Sequence, residues 1–135
     1  MADQADERLA RGLAMALELF TPTSSDVPRP PRFEYPEEIA EDWNRFSVST
    51  VMGDVWSRSG LEPRQRAMIT IAVLTAVDKP EQLRAYISAG LNLGLSRQEI
   101  CEAIFQVSVY AGFPSAIQGL GVAKQVFDEA DRSGG

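Results

Sequence analysis

The stretch from Pro63 to Val77, PRQRAMITIAVLTAV, decides whether this chain is all-helical or mixed. Within it, Ile69 to Val73 is short and rich in β-branched residues, which suits a buried strand. Pro63 followed by Arg64, Gln65 and Arg66 instead supplies a helix start, because proline is preorganised for the first helical position and its missing N–H is not needed there. Read as a helix, the stretch carries Met68, Ile69, Ile71, Ala72, Val73, Leu74 and Val77 nearly all round. Such a helix is expected at the buried centre of the fold.

Toward the C-terminus, Pro80 and Glu81 open a further helix through Leu83, Ile87 and Leu91, with Gly94 placed for a left-handed cap. Ser96-Arg97-Gln98-Glu99 has capping-box spacing ahead of Ile100, Ala103, Ile104 and Val107. Gly112 and Pro114 separate that helix from a last one carrying Ile117, Leu120, Val126 and Phe127. There Ser115, Gly119 and Ala123 form a small-residue row that lets helices approach closely. Gly119 and Gly121 each cost a helix about 1 kcal/mol against alanine, and tight packing is the expected reason.

On the N-terminal side, Gly60 ends a long helix expected from Pro36 to about Ser57. Glu37 and Glu38 sit in its first turn, and Ile39, Trp43, Phe46, Val51 and Val55 follow at three- to five-residue steps. Five of the eight prolines fall between Thr21 and Pro36, so this segment is an extended connector. Through Phe33 and Tyr35 it packs over the body or a neighbouring subunit, or else it is a solvated linker. Leu9, Leu13, Leu17 and Phe20 mark one amphipathic helix from about Asp3 to Phe20.

The sum is an all-α chain of about six helices, read as one domain over 1–135, with the first helix and connector in 1–36 and a helical core in 37–130. A hydrophobic content of 44% is enough to build that core. A net charge of −6 argues against nucleic acid, whose phosphates are bound by clustered Lys and Arg. Neither a secretory signal nor a membrane-length apolar run is present, so a cytoplasmic protein is expected. Cys101 is the only cysteine, which excludes a dithiol relay within one chain and suits an inert core thiol. The chain has no histidine, so no metal site is expected.

From about Phe46 to Phe127 the chain resembles the carboxymuconolactone decarboxylase family. The resemblance runs through Gly53-Asp54-Val55-Trp56-Ser57-Arg58, Gly60-Leu61, Arg64, Arg66 and Met68 to Ala72. It continues through Glu81-Gln82-Leu83, Ala89, Asn92, Gly94, Arg97 to Ile100 and Tyr110 to Ala116. It points to the γ-carboxymuconolactone decarboxylase-like branch, since the peroxidase-reducing branch needs a Cys-x-x-Cys pair. What it implies is an all-α oligomer, commonly a hexamer built as a trimer of dimers, with a cofactor-free pocket between helices near subunit contacts. Relatives of this branch usually carry histidine on the helix before the Asn-x-Gly segment, where this chain has Tyr86.

Decarboxylation without a cofactor needs a carbonyl to take up electrons and an acid to return a proton to carbon. Tyr86 is the candidate acid, because a phenol stays protonated at neutral pH; its alternative is interhelical packing. Arg66 is the candidate clamp for a substrate carboxylate, unless a salt bridge to Glu62 or Asp54 accounts for it. Glu102, Gln106 and Tyr110 share one helix face, which lines a pocket or forms solvated or subunit-contact surface. Trp56 walls a planar substrate or belongs to the core. The expected activity is a cofactor-independent lyase acting on a small carbonyl-bearing carboxylate or lactone, possible substrates extending to secondary metabolites. The alternatives are a cyclase or isomerase using the same pocket, and a non-catalytic oligomeric binding or assembly protein. A homo-oligomer, hexameric or trimeric, is expected on either reading.

Overall fold

Three helices begin where a side chain accepts from the free backbone N–H groups of the first turn: Asp3, Glu62 and Ser96 stand at these starts. The computed structural model describes residues 3–134, which contain six α-helices, one π-helical stretch and no strand. Helix α1 spans Gln4–Phe20, with the Asp3 carboxylate accepting from the Ala5 N–H at 3.1 Å. Helix α2, Glu37–Ser47, runs directly into π-helical turns over Val48–Trp56. Helix α3 spans Pro63–Ala76 and is closed at its start by Glu62 and Gln65. Helix α4 spans Pro80–Asn92, α5 Arg97–Ala111 and α6 Phe113–Gly134.

Two of the local signals are present down to the hydrogen bond. Ser96 Oγ accepts from the Glu99 N–H at 3.0 Å, and the Glu99 carboxylate accepts from the Ser96 N–H at 2.9 Å. After α4, Gly94 takes φ +95° while Leu95 N–H donates to Gly90 O and Gly94 N–H to Leu91 O. That pair of bonds is a Schellman ending, which needs a residue tolerant of the left-handed region at Gly94.

The expected helix from Pro36 to Ser57 exists, but its last nine residues are wound as a π-helix, with Ser57 N–H bonded to Met52 O at 3.1 Å. Side-chain steps of four and five residues suit either winding, so the apolar pattern does not separate them. Across this stretch α1 passes with almost no gap. A Cβ on Gly12 would lie 2.4 Å from the Val48 carbonyl oxygen, and one on Gly53 would lie 2.4 Å from that of Arg8. The Arg8 guanidinium grips the Asp54 carboxylate through bonds of 2.9 and 2.7 Å, which holds that carboxyl below the usual range.

The buried centre is α4, not α3. Leu83, Ala85, Ile87, Ser88, Ala89 and Gly90 are all enclosed, whereas Ile69 and Val73 of α3 and Val77 just after its end are each 52% exposed. The reason is placement: α1, α3, α5 and α6 all pack on α4, whereas the buried positions of α3 are confined to the stripe Ala67, Ile71 and Thr75. In the small-residue row, Gly119 is closely packed, since a Cβ there would lie 2.7 Å from Thr75 Cγ2. Gly121 has nothing within 4 Å of such an atom, so packing does not explain it.

Candidate functional site

The connector, residues 21–36, is a fixed part of the body rather than a solvated linker. Asn92 at the end of α4 holds its start. Its amide donates to the carbonyls of Glu18, Leu19 and Thr21 at 2.9–3.2 Å, and its oxygen accepts from the Thr23 N–H and hydroxyl at 2.9 Å each. One turn earlier on α4, the Ser88 hydroxyl donates to Pro28 O at 2.5 Å. Pinned at these two points, the chain continues over α4 in extended form. Phe33 and Tyr35 alternate with Arg32 and Glu34 there, as an extended backbone requires if one side is to face the protein.

Beneath the connector lies a cleft of about 380 Å³, within the size range of small-molecule sites. Pro30, Pro31, Phe33 and Tyr35 form its outer wall; Ala16 and Phe20 of α1 close one end. Asn44 and Ser47 of α2, with Val48, Val51 and Met52 of the π-helical stretch, make the opposite wall, and Ala85 and Tyr86 of α4 contribute the remainder. No Asp, Glu, Lys or Arg belongs to this lining.

Tyr86 is the most chemically capable group in the cleft. Its ring stacks on Trp56 with centroids 5.8 Å apart and planes inclined by 25°, and Phe20 meets it edge-on at 5.6 Å. Burial pushes its phenol above the ordinary value, so the group stays protonated through neutral and mildly alkaline pH. Trp56 is itself buried and supports Tyr86 from behind without belonging to the cleft lining.

The remaining expected site residues lie elsewhere in the chain. Arg66 donates through Nη2 to the Arg58 carbonyl at 3.3 Å, and its Nε is buried with no hydrogen-bond partner. Neither of the two expected salt bridges forms: Asp54 is taken by Arg8, and Glu62 serves the start of α3. Arg66 is not in the cleft lining. Glu102 accepts from Gln98 at 3.0 Å on the outer face of α5, where Gln106 is exposed and Tyr110 is 83% exposed. Within one chain, then, Tyr86 and Trp56 come together while Arg66, Glu102, Gln106 and Tyr110 stay apart from them. Sequence reasoning missed Asn44, Val51 and Met52 as cleft residues, and the alternation around Phe33 and Tyr35 was the one available hint of the outer wall.

A second, wider groove of about 690 Å³ runs between the connector and the end of α6, bordered by Arg29, Glu129 and Arg132; it holds none of the expected site residues. Among the described residues, no three His, Cys, Asp or Glu side chains are grouped to hold a metal ion. No described helix is long and apolar enough to cross a membrane.

This all-helical architecture, with its capped α5 and its Asn-x-Gly turn, is that of a decarboxylase-type family, and residues 41–125 match the carboxymuconolactone decarboxylase family. The chain belongs to that family. It is 36% identical over 92 residues to the 4-carboxymuconolactone decarboxylase of Acinetobacter baylyi, covering 68% of this chain and 69% of that one. An uncharacterised 15.0 kDa protein of Paracoccus denitrificans is 30% identical over 131 residues, covering 95% and 89%. The nitrosuccinic acid decarboxylase of Metarhizium robertsii is 27% identical over 93 residues, covering 69% and 60%.

Proposed function

We propose that this chain is a cofactor-independent decarboxylase of a small carbonyl-bearing carboxylate or lactone, with Tyr86 as its proton donor. The observation that carries the reading is the setting of Tyr86. Its phenol stands where the family resemblance calls for histidine, on the wall of a cleft of small-molecule size, and burial keeps it protonated. Two relatives support the reaction type, being named for the decarboxylation of 4-carboxymuconolactone and of nitrosuccinic acid. When carbon dioxide leaves, its bonding electrons pass to the α-carbon and onto the adjacent carbonyl. The phenol protonates that carbon and recovers its proton from water. In a chain without histidine, a neutral tyrosine is a workable acid, because an enolate carbon is far more basic than a phenolate.

The test is carbon dioxide release from γ-carboxymuconolactone and from a panel of β-keto acids, each corrected for its uncatalysed rate. A histidine-containing relative serves as positive control. Tyr86→Phe removes one oxygen from a ring whose two stacking partners remain, so helicity should be unchanged while the catalysed rate falls about 10²–10⁴-fold. An unchanged rate would remove Tyr86 from the reaction. No turnover of any substrate by this chain, with the relative active, would favour a binding or assembly protein instead.

We also infer that the chain works as a homo-oligomer. Ile69, Val73 and Val77 form one outward apolar stripe along α3 and its C-cap; Phe105 and Val109 form another on α5, and Phe113 and Ile117 a third on α6. Each of these seven side chains is more than half exposed, more apolar surface than a soluble monomer usually leaves open. Glu102, Gln106 and Tyr110 lie on α5 beside Phe105 and Val109, which makes them subunit-contact residues on this reading.

A further inference from the structure

The cleft beside Tyr86 has an unusual composition for the site of an acid substrate. Its polar side chains are the phenols of Tyr86 and Tyr35, the Asn44 amide and the Ser47 hydroxyl; the rest of its lining is proline, alanine, valine, methionine and phenylalanine. Among the described residues no cation lines this cleft, and the connector's Arg32 and Glu34 are not part of its lining. We propose that this cleft selects monocarboxylates with an apolar, preferably aromatic, body, and rejects di- and tricarboxylates. Phe33 and Tyr35 of the connector act as the specificity wall. The inference rests on the Tyr86 cleft being the reaction site.

The argument is one of differential solvation. A carboxylate moved from water into a cation-free apolar cleft loses hydration that nothing replaces. On decarboxylation this localised charge disappears: the bond between the α-carbon and the carboxylate carbon breaks, and its electron pair spreads over the α-carbon and carbonyl oxygen. Carbon dioxide leaves neutral, and Tyr86 supplies the proton. The same lining therefore penalises the ground state more than the spread charge of the transition state, which favours the chemical step. The Asn44 amide makes no side-chain hydrogen bond among the described residues and is available to a carbonyl oxygen on the same lining. A second carboxylate elsewhere on the substrate gains nothing from this arrangement, because its charge persists to the product and is desolvated throughout. The apolar body, by contrast, finds the faces of Phe33 and Tyr35, which are each 41% exposed before anything binds.

The experiment compares matched pairs differing by one carboxylate. Binding is measured calorimetrically with the inert analogues 3-phenylpropanoate and 4-(2-carboxyethyl)benzoate; turnover is measured with benzoylacetate and its para-carboxylate derivative. The monocarboxylate should bind at least tenfold more tightly and, where turnover occurs, show at least tenfold higher kcat/KM. Phe33→Arg, on an extended surface segment outside the helices, should bring that ratio to one or below. Equal affinity for the pair, a preference for the dicarboxylate, faster turnover of γ-carboxymuconolactone, itself a dicarboxylate, than of benzoylacetate, or a ratio unmoved by Phe33→Arg would overturn the inference. Tenfold selective binding with no turnover of these β-keto acids, of the wider panel or of γ-carboxymuconolactone, the histidine-containing relative being active, upholds the ligand class and defeats the decarboxylase reading, so the two claims fail separately.

Discussion

Replacing Gly12 by alanine tests the tightest contact in the fold. The added methyl would lie 2.4 Å from the Val48 carbonyl oxygen and 2.9 Å from its Cγ1, and the carbonyl is backbone, so it cannot swing aside. To bring the first distance beyond 3.0 Å, α1 and the π-helical stretch must separate. Overpacking of this kind costs about 1–3 kcal/mol, and the better helix preference of alanine returns up to about 1 kcal/mol. The expected net loss is about 1–2 kcal/mol. With an unfolding entropy of about 2.1 cal/mol/K per residue, each kcal/mol lowers the Tm of a chain this size by roughly 3–4 °C. Gly121→Ala is the control: it carries the same helix gain with nothing within 4 Å of the methyl, so it should raise stability by about 0.5–1 kcal/mol. Thermal unfolding followed by circular dichroism, at one protein concentration so that assembly contributes equally, reads both. If Gly12→Ala gains as much stability as Gly121→Ala, the close crossing is not what requires glycine.

Three further outcomes are expected. The Tyr86-dependent rate should stay level from pH 6 to beyond about 9, because the phenol is pushed above the ~10 of a free tyrosine and must remain protonated to act; a break near pH 6–7 in the pH–rate profile would point to another acid. Asn92→Ala removes three donated bonds to backbone carbonyls and should cost about 1–3 kcal/mol. Limited trypsinolysis should then cut after Arg32 faster than in the parent, and an unchanged rate of cutting would show that the connector is held by other contacts. Phe105→Glu, on a side chain 68% exposed in the isolated chain, should leave helicity intact and reduce the assembled mass measured by light scattering. A parent protein that is already monomeric at micromolar concentration would contradict the assembly proposal.

Much of the fold was legible because local chemistry marks helix ends. Ser96 with Glu99, Pro63, Pro80 and Gly94 each define a terminus through groups within a few residues, and those termini fall where they were expected. What the sequence did not disclose was relational. Ile69, Val73 and Val77 are as apolar as any core residue, and nothing in their spacing tells a stripe buried by its own chain from one left outside it. The π winding of Val48–Trp56 escaped for a similar reason, since its neighbour's Gly12 lies more than thirty positions away. Of the candidate site, Tyr86 and Trp56 were both placed by the segments that carry the family resemblance, and they do meet. Arg66 and the Glu102 face were joined to them only by chemical suitability, which carries no distance. The cleft depends on where an extended connector lies, and extended chain leaves no periodic signature strong enough to place it.

That connector precedes the region shared with the family, which begins at residue 41, yet it builds one side of the cleft. On the proposed reading, the helical body and the choice of substrate are carried by different stretches of one chain. Residues 32–35 are exposed, so substitutions there meet less packing than those on α4, and on that reading a lineage can alter what it accepts while keeping the machinery beneath. The same separation suits recombination in the laboratory: segments 21–36 exchanged between relatives that keep Asn92 and Ser88 would arrive with their two anchor points already in place.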